Sequence, residues 1–148
     1  MPPPRPPAIR PLALCVFREG DRILVAHVVD RRGGALYHRP LGGGVEFGET
    51  AAAAVRREVR EELGAEITDV ALLGVLENLF VYEGEPRHEI VFVFDARLAD
   101  AALYARDALP VTEEGDGWSD ARWVALAEFA AGRERLVPGG LLELLGGR

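Results

Sequence analysis

Three glutamates, Glu58, Glu61 and Glu62, fall within five residues of one another in a stretch with helical periodicity. At 100° per residue, with Glu58 as zero, Glu61 lies at about 300° and Glu62 at about 40°, so the carboxylates share one stripe. Like charges at these spacings each destabilise a helix by roughly 0.2–0.5 kcal/mol. An apolar stripe of Ala52, Val55, Val59 and Leu63 borders them, so only partial solvation is expected; crowding and burial both raise carboxylate pKa values. A hard divalent cation such as Mg2+ or Mn2+ favours oxygen ligands and relieves the repulsion. Ala51 and Ala54, on the same stripe, are expected to leave room beside the cluster. The competing reading is a solvated helix with Arg–Glu pairs, since Arg57 reaches Glu61 at i+4.

The preceding segment shifts that balance. Gly42-Gly43-Gly44, followed by Gly48, lets backbone approach a ligand closely and feeds into a helix start with free amides. Other chemistries are thinned out by composition. All 17 basic residues are arginine, which removes Schiff-base and phosphate-loop lysines. The sole serine, Ser119, lacks a strand–turn–helix elbow. Cys15 lies in the apolar run Leu12–Phe17 and reads as a core residue. His27, His38 and His88 show no ligand spacing. The formal charge of −7 argues against nonspecific or duplex nucleic-acid binding, but a bound cation can reverse the sign of a small site.

The elements that must position these groups fit one domain of 148 residues. Residues 1–11 are proline-dense and are expected to form a flexible arm, with the domain spanning 12–148. Leu12–Arg18 and Arg22–Val29 read as strands of a hairpin closed by Glu19-Gly20-Asp21. Thr50 is the expected N-cap of a helix reaching about Leu63, with Gly64 supplying its left-handed terminus. Ile67–Tyr82 and His88–Leu98 read as long strands separated by Glu83–Pro86. Residues 107–120 read as a flexible acidic loop. Ala121–Val124 is a short strand, and Leu126–Gly132 and Gly139–Leu145 are short helices. Strands on both sides of a helix predict a mixed-sheet α/β domain. No apolar run approaches a membrane span, the N-terminus lacks a signal-peptide core, and one cysteine requires no oxidising compartment; a cytoplasmic protein is expected.

Gly43, Glu49, Arg57-Glu58-Val59-Arg60-Glu61-Glu62-Leu63-Gly64-Ala65 resembles the Nudix box, G-x5-E-x7-R-E-U-x-E-E-x-G-U, where U is a bulky aliphatic. Every fixed position matches, and only the last aliphatic departs, being Ala65. The resemblance implies an α/β/α sandwich with a central mixed sheet, the box helix on one side and a C-terminal helix on the other. It implies a hydrolase acting on the diphosphate linkage of a nucleoside diphosphate joined to another group: a nucleoside triphosphate, nucleotide sugar, ADP-ribose or dinucleoside polyphosphate. The alternative is a non-catalytic nucleotide-binding or sensor module on the same fold. By the same resemblance, Glu58, Glu61 and Glu62 bind Mg2+ or Mn2+ with the Gly42 carbonyl, and Arg57, partnered by Glu49, orients loop and carboxylates. The general base is expected outside the box, at Glu89, Glu113 or Glu114. Substrate contacts are expected at Arg39, Gly43, Gly44 and Trp118, the last a stacking residue. The resemblance also allows a homodimer.

Overall fold

A computed structural model describes residues 7–29, 32, 34, 36–112 and 120–146. The strands are β1 (Ile9–Val16), β2 (Arg18–Glu19), β3 (Arg22–Val29), β4 (Leu36–Arg39), β5 (Leu41–Gly44), β6 (Ile67–Tyr82), β7 (Glu85–Leu98), β8 (Ala108–Leu109) and β9 (Ala121–Ala125). The helices are α1 (Ala51–Leu63), α2 (Leu126–Ala130) and α3 (Leu141–Leu144), with a 3-10 turn at Ala101–Ala105. One mixed sheet has the order β5-β1-β7-β6, with β1 and β7 parallel and the other pairs antiparallel. A second runs β2-β3-β9-β8, and β4 joins the C-terminal half of β3.

The period-2 alternation of β1 divides the core in two. Ala13, Cys15 and Phe17 join Val55 and Val59 of α1 in one buried cluster. Leu12, Leu14 and Val16 join Phe129, Leu141 and Leu145 of the C-terminal region in another. Successive strand residues face opposite ways, so one strand lined with apolar residues on both faces must be covered twice. That is the expected sandwich, with the glutamate helix on one side and the C-terminal helices on the other. Val55 and Val59 are fully buried, and each contributes about 1.5–3 kcal/mol of hydrophobic stabilisation.

Helix α1 begins and ends as its sequence predicts. The Thr50 side chain accepts a hydrogen bond from Ala53 N at 3.1 Å, and Gly64, at φ 66°, donates its amide to the Arg60 carbonyl.

Four expectations are corrected. The arm is shorter than residues 1–11, because Ile9, Arg10 and Pro11 belong to β1. There Pro11 loses no needed donor; its carbonyl accepts from Val45 N at 3.0 Å. The turn before β7 is only Glu83-Gly84, both at positive φ (51° and 81°), the geometry of a two-residue hairpin. Pro86 is tolerated in β7 because pairing with β1 starts only at His88. The 107–120 segment is anchored over its first part: Leu109 is buried in β8 and Thr112 N donates to the Glu62 carbonyl at 2.8 Å. Finally, Ala54 leaves no room beside the carboxylates, being fully buried in the α1-side core. The buried arc of the helix extends past Val55 and Val59 to include Glu62 and Ala54.

Candidate functional site

Strand β5 is only Leu41-Gly42-Gly43-Gly44, lying at the edge of its sheet directly under α1. Glycine is required there twice, for different reasons. At Gly42, φ is 142° and an added Cβ would collide with the Ala13 carbonyl of β1. At Gly43, an added Cβ would stand 2.5 Å from the Glu58 carboxyl carbon and 2.7 Å from both its oxygens. The missing side chain is therefore what admits Glu58 to the strand.

Glu62 is the one buried charged residue among those described, at 2% exposure. Its Oε1 accepts a 2.9 Å hydrogen bond from Gly42 N, tying the glycine strand to the helix. Such a charge-assisted bond offsets part of the cost of burying a carboxylate.

Arg57 is the hub that joins loop and helix. Its Nε and Nη2 form a fork on Glu49, at 3.1 and 2.6 Å, and Nη2 also donates to the Gly44 carbonyl at 2.9 Å. Nη1 donates to Glu58 at 3.0 Å and to Glu61 at 3.3 Å. The Glu49 carboxylate in turn accepts from Glu46 N at 2.9 Å. Hydrogen bonds to Arg57 lead in holding the Glu49 carboxyl below its ordinary pKa, and its bonds to Glu49 lead in holding the guanidinium well above its own. The sequence pairing of Arg57 with Glu49 is thus brought together in space.

The box carboxylates share this arginine, not a common point. Among the described residues no three acidic, histidine or cysteine side chains converge at metal-binding distances. Glu58 is 17% exposed beside Gly43, Glu62 is turned to Gly42, and Glu61 is 58% exposed at the helix surface. The donor set nonetheless suits a hard cation. It is all oxygen, from Glu58, Glu61, Glu62 and the Gly42 carbonyl, and Glu61 is exposed enough to rotate. Four carboxylates, Glu46, Glu49, Glu58 and Glu61, lie within 4.0 Å of Arg57, leaving a formal −4 + 1 = −3. The Gly42 carbonyl accepts a long 3.3 Å bond from Arg39 Nη2 and keeps a second lone pair.

A cleft of about 580 Å3 opens beside β5. Of the expected substrate contacts, Arg39, Gly43 and Gly44 line it; of the expected bases, Glu89 lines it together with Glu58. Glu89 sits opposite Asn78 across β6 and β7, and Asn78 Nδ2 lies 3.5 Å from its Oε1. Glu113, Glu114 and Trp118 lie outside the described residues. Trp123 belongs to the core, stacked on Tyr104 at 5.3 Å. His38 bonds Glu134 at 2.7 Å, away from the box. Cleft residues missed in the sequence are Arg10, Asn78, Arg87 and Arg135. The signal for Arg10 and Arg87 was alternation: Arg10 continues the Leu12, Leu14 face of β1, and Arg87 the Glu89, Val91 face of β7.

Fold and site together define an α/β sandwich in which a glycine strand, an acidic helix and an arginine-lined cleft meet at one sheet edge. The NUDIX domain family model matches residues 8–145, and the chain belongs to the Nudix family. It is 33% identical over 127 residues to the NAD-capped RNA hydrolase NudC of Mycobacterium tuberculosis (strain ATCC 25618 / H37Rv), covering 78% of this chain and 39% of that protein. NudC of Yersinia enterocolitica is 35% identical over 116 residues, covering 71% and 42%. The chain thus spans about two fifths of the length of these relatives. A Nudix hydrolase structure from Nitrosomonas europaea superposes with a TM-score of 0.66 at 18% identity, covering 94% of this chain and 87% of that one. A MutT Nudix hydrolase from Burkholderia pseudomallei gives 0.60 at 24%, covering 81% and 85%. These two show the shared fold. No helix among the described residues is long and apolar enough to cross a membrane.

Proposed function

We propose that this chain is a divalent-metal-dependent hydrolase of a diphosphate linkage in a small nucleotide-containing substrate, working away from any membrane. The observation that supports it most is the close approach of Glu58 to side-chain-free Gly43, with Glu62 bonded to Gly42, at the mouth of an arginine-bearing cleft. Glu58, Glu61, Glu62 and the Gly42 carbonyl would hold Mg2+ or Mn2+. When bound, the ion neutralises phosphate charge and lowers the pKa of the attacking water.

The residues of the chain supply the rest. Arg57 ties Glu58, Glu61 and the glycine strand into one frame, and Glu61, exposed at the helix surface, would turn from it onto the ion. Arg39 lines the cleft beside Gly42 and offers charge-assisted bonds to a phosphate. Water adds to one phosphorus, the bridging P–O bond breaks, the second phosphoryl group leaves as a phosphate, and one proton is released. Glu89, in the cleft with Glu58, takes that proton in this reading.

The relatives' name puts NAD-capped RNA on the substrate panel, and NAD as its cap alone, beside nucleoside triphosphates, nucleotide sugars, ADP-ribose and dinucleoside polyphosphates. The test is product release from that panel with Mg2+ and with Mn2+, using Glu61→Gln as control and Glu89→Gln for the base. Metal-dependent turnover lost in Glu61→Gln supports the reading. Binding of nucleotides with no turnover on any substrate would instead establish a sensor module. A Glu89→Gln rate within tenfold of the parent across the pH profile would remove Glu89 as the base.

A further inference from the structure

One strand edge is long and bare, while the other sheet edges among the described residues are short or covered. Strands β2 and β8 have 2 residues each. Strand β4 is bonded at His38, through both amide and carbonyl, to the 135–137 segment. Strand β5 lies under α1, with its backbone tied to Glu62 and Arg57. Strand β6 is the last of the mixed sheet, pairs only with β7 and runs for 16 residues. Among the described residues, its Gly74–Val81 stretch forms no backbone hydrogen bond outside the sheet.

An open edge presents a row of free amides and carbonyls, which proteins protect with charge, proline, a bulge or an overlying segment. Both bulges of β6 come before Gly74, and Gly74–Tyr82 pairs with β7 in unbroken register. This stretch holds no proline and a single charge, Glu77. Its odd-numbered apolar residues stand in solvent: Val75 is 48% exposed, Leu79 68% and Val81 64%. A groove of about 450 Å3, lined by Leu79 and Val81 together with Ile9 and Pro86, continues that apolar surface.

The stretch is complementary to itself. Asn78 is its midpoint. Antiparallel pairing about a two-fold axis there sets Val75 against the second copy's Val81, Leu76 against its Phe80 and Glu77 against its Leu79. An axis at Glu77 would instead place like charges opposite each other, and an axis at Leu76 would draw the bulge before Gly74 into the ladder. The joined sheet would end in β5 on both sides, already covered by α1, so the contact closes at two copies. Asn78 and Phe80 line the cleft, and Asn78 neighbours Glu89. The second strand would therefore continue the wall of each cleft.

We infer that the free edge of β6 is an interaction surface for a second copy of this chain, paired antiparallel about a two-fold axis at Asn78. The inference goes beyond the hydrolase reading and does not rest on it.

The test needs no substrate. Light scattering and sedimentation velocity on the full chain read its mass against 16.1 kDa for one copy. Twice that mass is expected, with a dissociation constant on the order of 10 μM or tighter. Val75→Arg and Leu79→Arg, each checked for folding by circular dichroism, weaken dimerisation at least tenfold. Asn78→Cys reads the register independently, and decides the question if an arginine variant fails to fold. Opposed residues of an antiparallel pair have Cα atoms about 4.5–5.5 Å apart, within disulfide reach. The native Cys15 is buried and does not interfere. Mild oxidation should give a covalent dimer of Asn78→Cys but not of Val75→Cys, whose copies lie about 20 Å apart in this register. A single-copy mass at about 200 μM, dimerisation undiminished in both folded arginine variants, or Asn78→Cys crosslinking no faster than Val75→Cys overturns the inference.

Discussion

Replacing Gly43 with alanine separates the site from the fold more cleanly than any change to a charged residue. Gly43 has no positive φ, so alanine is accessible to its backbone. The three atoms nearest the new Cβ all belong to the Glu58 carboxylate, at 2.5–2.7 Å. Moving it to ordinary contact, roughly 3.5 Å, requires a displacement of about 1 Å. An off-rotamer or re-oriented glutamate costs about 0.5–1.5 kcal/mol. Weakening the partly exposed Glu58–Arg57 pair costs about 0.2–1 kcal/mol more. Against this, losing glycine's unfolded-state entropy returns about 0.4–1 kcal/mol. The net destabilisation is about 0–2 kcal/mol, which at this chain length lowers Tm by no more than roughly 8 °C.

Activity responds on another scale, because a misplacement of about 1 Å at a reacting centre costs on the order of a hundredfold. The expected result is a folded protein with kcat/KM for its best substrate reduced about a hundredfold and Mn2+ affinity visibly weakened. Gly42→Ala provides the contrast. There the Cβ strikes the Ala13 carbonyl and the Leu14 Cα, backbone that cannot rotate away, and φ of 142° adds strain. That variant should lose several kcal/mol of stability. Thermal melts and metal-dependent turnover, run side by side, read both predictions. Full activity in Gly43→Ala would refute the placement of Glu58 at the reacting edge.

Three further outcomes follow from particular contacts. Glu62→Gln keeps an oxygen for the 2.9 Å bond from Gly42 N, so Tm should change by only about 1–4 °C while Mn2+ affinity falls tenfold or more, as read by paramagnetic relaxation. Glu49 has its folded pKa depressed by Arg57, so its contribution to stability is complete above the ordinary value of 4.5 and is lost as pH falls through the lowered folded value. The gap in urea midpoint between the parent and Glu49→Gln should therefore narrow from pH 7 to pH 3, and a constant gap would exclude the ion pair as its source. Burial drives the Cys15 thiol well above its ordinary pKa, so a thiol reagent at pH 8 should label the chain only as fast as it unfolds.

The parts of the site that were legible in sequence are those fixed by local spacing. Glu58, Glu61 and Glu62 lie near one another because 3.6 residues make a turn, and Thr50 and Gly64 bound the helix through short-range hydrogen bonds. The partnership of Arg57 with Glu49 was legible only through the family pattern, since eight residues separate them across a loop. Arg10 and Arg87 were hidden because their common face depends on parallel pairing of β1 with β7, strands 79 residues apart at Arg10 and Glu89. Proline density also masked Arg10: a segment with Pro7 and Pro11 reads as an arm, and only the edge carbonyl of Pro11 accepting from Val45 shows why a strand survives there. Helical spacing alone pairs Arg57 with Glu61, and its reach to Glu58 was legible only through the family pattern, because wheel geometry does not report where a guanidinium fork will lie.

The two faces of β5 also carry different groups. Glu58 stands on the α1 side of Gly43, and Arg10 stands on the opposite side of Gly44, where Glu89 of β7 shares its face. A side chain at Gly43 would displace the Glu58 carboxylate, whereas one at Gly44 would press only on the flexible end of Arg10, 3.0 Å away. Gly44→Ala is thus expected to leave Glu58 in place and to cost far less activity than Gly43→Ala, and comparable loss of kcat in both variants would show that the two faces do not act separately.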